Sequence, residues 1–175
     1  GGLSADIWRS TIDRGSSLRL ITDSVSAQPE WDPDGRSLVY IHPAGLHRIA
    51  ADGSGQQSLV LKRPRGIFES HITPDRKTIV FREDASPSNR DILLATLDSP
   101  TVIRPLLTTP FDEKGFALSP DGKWLAYVSN ETGTNEVYLR RLEPNSARWQ
   151  VSGGGGNEAR WAQKEIFYRT GDSVM

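Results

Sequence analysis

Leu118-Ser119-Pro120-Asp121-Gly122-Lys123-Trp124-Leu125-Ala126-Tyr127-Val128 is the stretch that decides the fold. Pro120 presets φ for the first central turn position, Asp121 tolerates the second, and Gly122 can take a positive φ without a Cβ clash. The stretch reads as a tight β-hairpin. Trp124 to Val128 is an almost unbroken apolar run with β-branched and aromatic members. Such a run is expected of a strand buried on both faces.

The unit recurs. Trp31-Asp32-Pro33-Asp34-Gly35 leads into Leu38-Val39-Tyr40, and Ile72-Thr73-Pro74-Asp75 leads into Ile79-Val80-Phe81. Trp161 leads into Ile166-Phe167-Tyr168 through a turn two residues shorter. Anchors Trp31, Ile72, Leu118 and Trp161 lie 41, 46 and 43 residues apart. A period near forty with β signals only is the mark of a propeller blade of four antiparallel strands. A second repeated segment fits the third strand of each blade: Asp6–Asp13, Gly45–Asp52, Asp91–Asp98 and Glu136–Glu143. Each copy ends in an acid at a turn start, Asp13, Asp52, Asp98 or Glu143. These acids read as turn caps, with metal binding as the rival.

The expected architecture is all-β, a propeller of about four blade equivalents in one domain over 1–175. An outer half-blade covers 5–23, blades cover about 24–64, 65–110 and 111–153, and an inner half-blade covers 154–175. Breakers fill the short loops: Pro43-Ala44-Gly45, Ser86-Pro87-Ser88-Asn89 and Asn130-Glu131-Thr132-Gly133. No stretch carries helical periodicity. If the ends close as propellers usually do, residues 6–22 pair with 158–168, within one chain or across a homo-oligomer.

Bulk properties agree. The chain has 175 residues, 36% hydrophobic and 25% charged, as a globular domain does. A net charge of −1 argues against a nucleic-acid surface. The absence of cysteine excludes disulfides, thiolate zinc and a cysteine nucleophile. No apolar run is long enough for a membrane helix. Gly1-Gly2-Leu3-Ser4 lacks the basic and apolar regions of a signal peptide.

The S/T-P-D-G hairpin, the aromatic-ended second strand and the Asp6-Ile7-Trp8 and Glu136-Val137-Tyr138 third strands resemble the bacterial WD-like repeats of TolB-type propellers. The final third, from Ser119 through Glu131 and Glu136-Val137-Tyr138 to Trp149–Gly155, is similar to the propeller that follows the kinase domain in bacterial serine/threonine protein kinases. Related repeats occur in prolyl-oligopeptidase-like hydrolases. The resemblance implies a propeller in a bacterial protein, periplasmic or cytoplasmic, and leaves the ligand open. This chain departs from the pattern where Asp32 replaces a turn serine and Arg76 a turn glycine.

Catalytic motifs are missing. There is no G-x-S-x-G elbow, and no Gly-rich loop with a following lysine strand and H-R-D. Gly153-Gly154-Gly155-Gly156 lacks the G-K-[ST] ending of a phosphate loop and reads as a flexible inter-blade connector. Asn130-Glu131-Thr132 fits a glycosylation acceptor but equally turn chemistry. The three histidines lack ligand spacing: His42 reads as a solvated hairpin tip, His47 as a packed or half-buried ring, and His71 as facing the central channel. Trp149, on an outer strand, is the aromatic candidate for exposure.

Topology gives the best candidate surface. Inner-strand side chains alternating away from the anchors place Glu30, Glu69, His71, Glu158 and Arg160 on the axis, with Gln28, Gly115 and Ala117 beside them. The cluster suits a cation or a polar peptide terminus, against the rival of a salt-bridged, water-filled pore. The expected function is a non-catalytic scaffold for a protein partner, with no cofactor. The alternatives are the substrate-gating propeller of a larger prolyl-oligopeptidase-like hydrolase and a sugar- or metal-binding propeller.

Overall fold

The structure, a computed structural model, describes residues 6–13, 15–86 and 89–175. The opening Gly1–Ser4, Arg14 of the first turn, and Pro87 and Ser88 of the second loop lie outside the described residues. Among the described residues there is no helix.

Five antiparallel sheets follow one another along the chain. β1 (Ile7–Ser10) and β2 (Ser17–Ile21) form a pair. Three four-stranded blades follow: β3 (Ala27–Trp31), β4 (Ser37–His42), β5 (Gly45–Ala50) and β6 (Ser58–Leu61); β7 (Glu69–Ile72), β8 (Thr78–Ser86), β9 (Asn89–Thr96) and β10 (Ser99–Leu107); then β11 (Lys114–Leu118), β12 (Trp124–Ser129), β13 (Glu136–Arg141) and β14 (Arg148–Gln150). A three-stranded sheet ends the series: β15 (Asn157–Ala162), β16 (Glu165–Thr170) and β17 (Ser173–Val174). The fold is a β-propeller of about four blade equivalents.

The three long hairpin turns share one hydrogen-bond pattern. Gly35 N donates to Asp32 O at 2.9 Å, Arg76 N to Thr73 O at 2.7 Å, and Gly122 N to Ser119 O at 2.8 Å. All three donors have positive φ: 67° at Gly35, 56° at Arg76 and 69° at Gly122. The turn at Arg76 therefore keeps the glycine geometry despite a side chain. A Cβ at Gly122 would sit 2.7 Å from Pro74 Cδ in the preceding blade, so that glycine is also needed for close approach.

β4, β8 and β12 are buried on both faces, which is why each reads as a continuous apolar run, whereas β16 alternates exposed and half-buried residues. Val39 and Leu46 meet Ile72, Ile79, Phe81 and Leu93 between the first two blades. Val80, Ile92 and Leu94 meet Phe116, Leu125, Tyr127 and Tyr138 between the next two. Ala126, Val128 and Val137 close on Ala159, with Trp161, Ile166 and Tyr168 around them.

One expectation is corrected. Residues 6–22 do not pair with 158–168 within the chain: β1–β2 stays a two-stranded sheet, and Ile7 and Ile21 pack face-on against Leu38, Tyr40 and Ile49. On the edge of β16 that an incoming strand needs, only the C-terminal end is paired, by β17, through Arg169 with Val174 and Thr170 with Ser173.

Candidate functional site

Inner strands β3, β7, β11 and β15 converge on one open cleft. It has a volume of about 350 Å3 and is lined by Gln28, Glu30, Glu69, Ser70, His71, Gly115, Phe116, Ala117 and Arg160. A second opening of about 380 Å3 shares Glu69, Gly115 and Arg160 and adds Lys114, Asn157, Glu158 and Arg169. Four of the five axial residues named from the sequence thus line one cleft, and Glu158 lies in its continuation. Alternation along the strands would not have found Phe116, Lys114 or Arg169.

Backbone irregularity shapes this surface. The ladder shifts between Ala27 and Glu30, between Lys114 and Ala117, and between Asn157 and Arg160. At each shift the residue three before the anchor has positive φ: Gln28 at 49°, Gly115 at 57° and Glu158 at 54°. These are β-bulges, and they re-aim side chains that strict alternation would place elsewhere. In the second blade β7 runs without one, pairing Glu69 to Ile72 residue for residue with Arg82 to Ile79. Left-handed conformations at a glutamine and a glutamate cost free energy that the surrounding packing must offset.

The charges of the cleft are unequally matched. His71 Nδ1 lies 2.8 Å from Glu30 Oε2, and the His71 ring meets Phe116 edge-on at 5.2 Å. Glu69 takes Arg82 on one oxygen and the Phe116 amide on the other at 3.3 Å. Glu158 lies 3.5 Å from Arg169. Arg160 has no ion pair among the described residues; its guanidinium donates only to Ala159 O at 2.9 Å. Each of these carboxylates already has a side-chain partner, and Arg160 is the cation of the cleft that has none among the described residues.

Several other candidates resolve into structural roles. Asp52 caps its turn by accepting from Ser54 N and Oγ at 2.8 and 2.6 Å. Gly153–Gly156 does cradle an anion, but the chain's own. Ser152 Oγ donates to the buried Glu136 carboxylate and Gly155 N donates to it at 2.8 Å. The Ser152 bond and those amides hold the Glu136 carboxyl below the ordinary glutamate range. A Cβ at Gly156 would strike Ser152 Oγ at 2.5 Å, which fixes glycine there. His42 is tied down rather than merely solvated: its Nδ1 accepts from Ala44 N at 3.0 Å. His47 packs against it at 4.9 Å, and burial, then His42, lowers the His47 pKa. Trp149 is half exposed and lies against Trp124 at 5.6 Å.

Glu113 escaped the sequence reading altogether. It is fully buried beside Thr109, and Oε2 has no hydrogen-bond partner among the described residues. Burial, followed by the charges of Asp91, Asp112 and Glu131, pushes its carboxyl up to about 7. It lines neither axial opening. Among the described residues no group of three or more His, Asp or Glu is arranged to hold a metal ion.

No protein-family model matches the chain. Among solved structures it is similar to TolB from Acinetobacter baumannii, with TM-score 0.74 and 16% identity over 93% of this chain and 42% of that one. It is similar to a chain of a nidogen/laminin complex, with TM-score 0.72 and 16% identity over 93% of this chain and 63% of the other. A prolyl endopeptidase matches with TM-score 0.62 and 20% identity over 89% of this chain and 27% of the enzyme. The likeness is one of fold, TolB-type β-propeller, and the chain spans less than half the length of that TolB.

Proposed function

We propose that the chain is a non-catalytic recognition module whose axial cleft takes an acidic side chain or the C-terminal carboxylate of a protein partner. The observation that carries this reading is Arg160: a cation without an ion pair, in a cleft built by four successive inner strands. A guanidinium offers a carboxylate paired, charge-assisted hydrogen bonds. Glu30 and Glu69 already hold His71 and Arg82, so a bound metal cation would have to displace existing partners. A propeller of the same fold in a nidogen/laminin complex supports a protein partner, and the TolB likeness supports a bacterial periplasmic one. The absence of a nucleophile elbow and a phosphate loop supports a chain without turnover of its own.

The test is selection of a random peptide library on the immobilised chain, repeated with Arg160→Gln. Peptides with an acidic residue or a free C-terminal carboxylate should be recovered. Losing one charged hydrogen-bond partner should weaken them about tenfold or more. Recovered peptides that bind the variant equally well would rule the reading out.

A further inference from the structure

A groove on the hairpin-turn side is the strongest feature outside the axial cleft. There each inner turn leans on the turn before it: Arg76 reaches Asp32 at 2.8 Å, and Gly122 closes on Pro74. The fourth inner hairpin has lost that arm. Ala162 pairs directly with Glu165, so only Gln163 and Lys164 remain in the turn. Clefts along this side have volumes of about 310 Å3 between the first two blades and about 410 Å3 between the next two. The cleft beside the shortened hairpin has a volume of about 640 Å3, with Trp124, Leu139, Val151, Trp161 and Ile166 in the walls.

The aromatic walls are held in place. Trp161 Nε1 donates to Ala117 O at 3.1 Å, fixing that ring. Trp124 is held by Trp149 at 5.6 Å and by the Arg141 guanidinium at 4.9 Å from its ring centre. A preformed wall spares a ligand the entropy of ordering it. At the rim, Lys164 is exposed and makes no ion pair among the described residues. Asp121, the acid at the rim, serves its own turn, accepting from Ser119 Oγ at 2.5 Å and Lys123 N at 3.0 Å. An apolar, aromatic-walled groove with a few convergent polar groups is the usual form of a small-molecule site.

We propose that this groove binds small aromatic anions, the planar body lying against Trp124 and Trp161 and the carboxylate or sulfonate meeting Lys164. The site is independent of the axial cleft. Calorimetric titration of the full chain with 2-naphthoate and with its neutral counterpart 2-naphthamide tests it. Naphthoate should saturate and bind more tightly than the amide. Lys164→Gln, at an exposed position, should weaken naphthoate about two- to fivefold and leave the amide unchanged. Trp124→Leu should weaken both, by about two- to tenfold, through lost stacking. If Trp124→Leu melts early, Lys164→Gln alone decides. Failure of naphthoate to saturate at millimolar concentration overturns the proposal. So does an affinity that is the same for both probes, or that Lys164→Gln does not move.

Discussion

Asp32 and Arg76 are the two residues at which the turn sequence of the repeat breaks, and they are each other's partners. Asp32 is fully buried where sister turns carry Thr73 and Ser119, and Arg76 Nε donates to it from the next blade at 2.8 Å. Arg48 reaches the other oxygen at 2.6 Å. From turn geometry alone, Arg76→Gly reads as neutral or mildly stabilising, because the position has positive φ. The guanidinium reverses that sign. Arg76→Gly should cost about 1–3 kcal/mol by removing a partner from a buried carboxylate. Asp32→Ser with Arg76→Gly, which restores the repeat pattern, should recover most of it. Urea unfolding of the four chains would show additive effects if the two residues were not coupled. Glu113 allows a second test at this scale. The unfolded chain releases its proton near 4.5, the folded chain at about 7, so between those values the folded state binds more protons. Its contribution to stability therefore falls as pH rises through that window. Glu113→Gln should gain on wild type by about 1–3 kcal/mol between about pH 5 and pH 8. A difference that does not change with pH would remove the buried acid from the account.

At the scale of elements, the long hairpins were legible in the sequence and the bulges were not. Pro120, Asp121 and Gly122 declare a turn through backbone preferences that are local, and local preferences are what a sequence displays. Gly122→Val should cost at least about 1–3 kcal/mol from positive φ alone, with the Pro74 contact adding to it. An unchanged thermal melt would contradict the turn assignment. The bulges at Gln28, Gly115 and Glu158 are set instead by how inner strands fit round the axis. Only Gly115 left a trace in composition. Strict alternation still placed Glu30 and Arg160 on the axis, because they lie beyond the bulge, and Glu69 and His71, because β7 carries none. It missed Phe116, whose amide meets Glu69 in the neighbouring blade. The glycine run at Gly153–Gly156 reads as a connector in the sequence because its anion, Glu136, lies in the preceding β13.

For the whole molecule, a period of about forty residues is enough to give blades, but it does not say what the first and last sheets pack against. β17 pairs with the end of β16, and β1–β2 packs on the first blade through Ile7 and Ile21. What the series of blades builds is the axial cleft, with Arg160 as its unmatched charge. Hydrogen exchange of the chain with and without a selected carboxylate-bearing peptide tests that claim most directly. Protection should rise in β3, β7, β11 and β15, around Glu30, His71, Phe116 and Arg160, and should not rise in Arg160→Gln. Protection confined to outer strands such as β6, β10 and β14, or unchanged by Arg160→Gln, would contradict it.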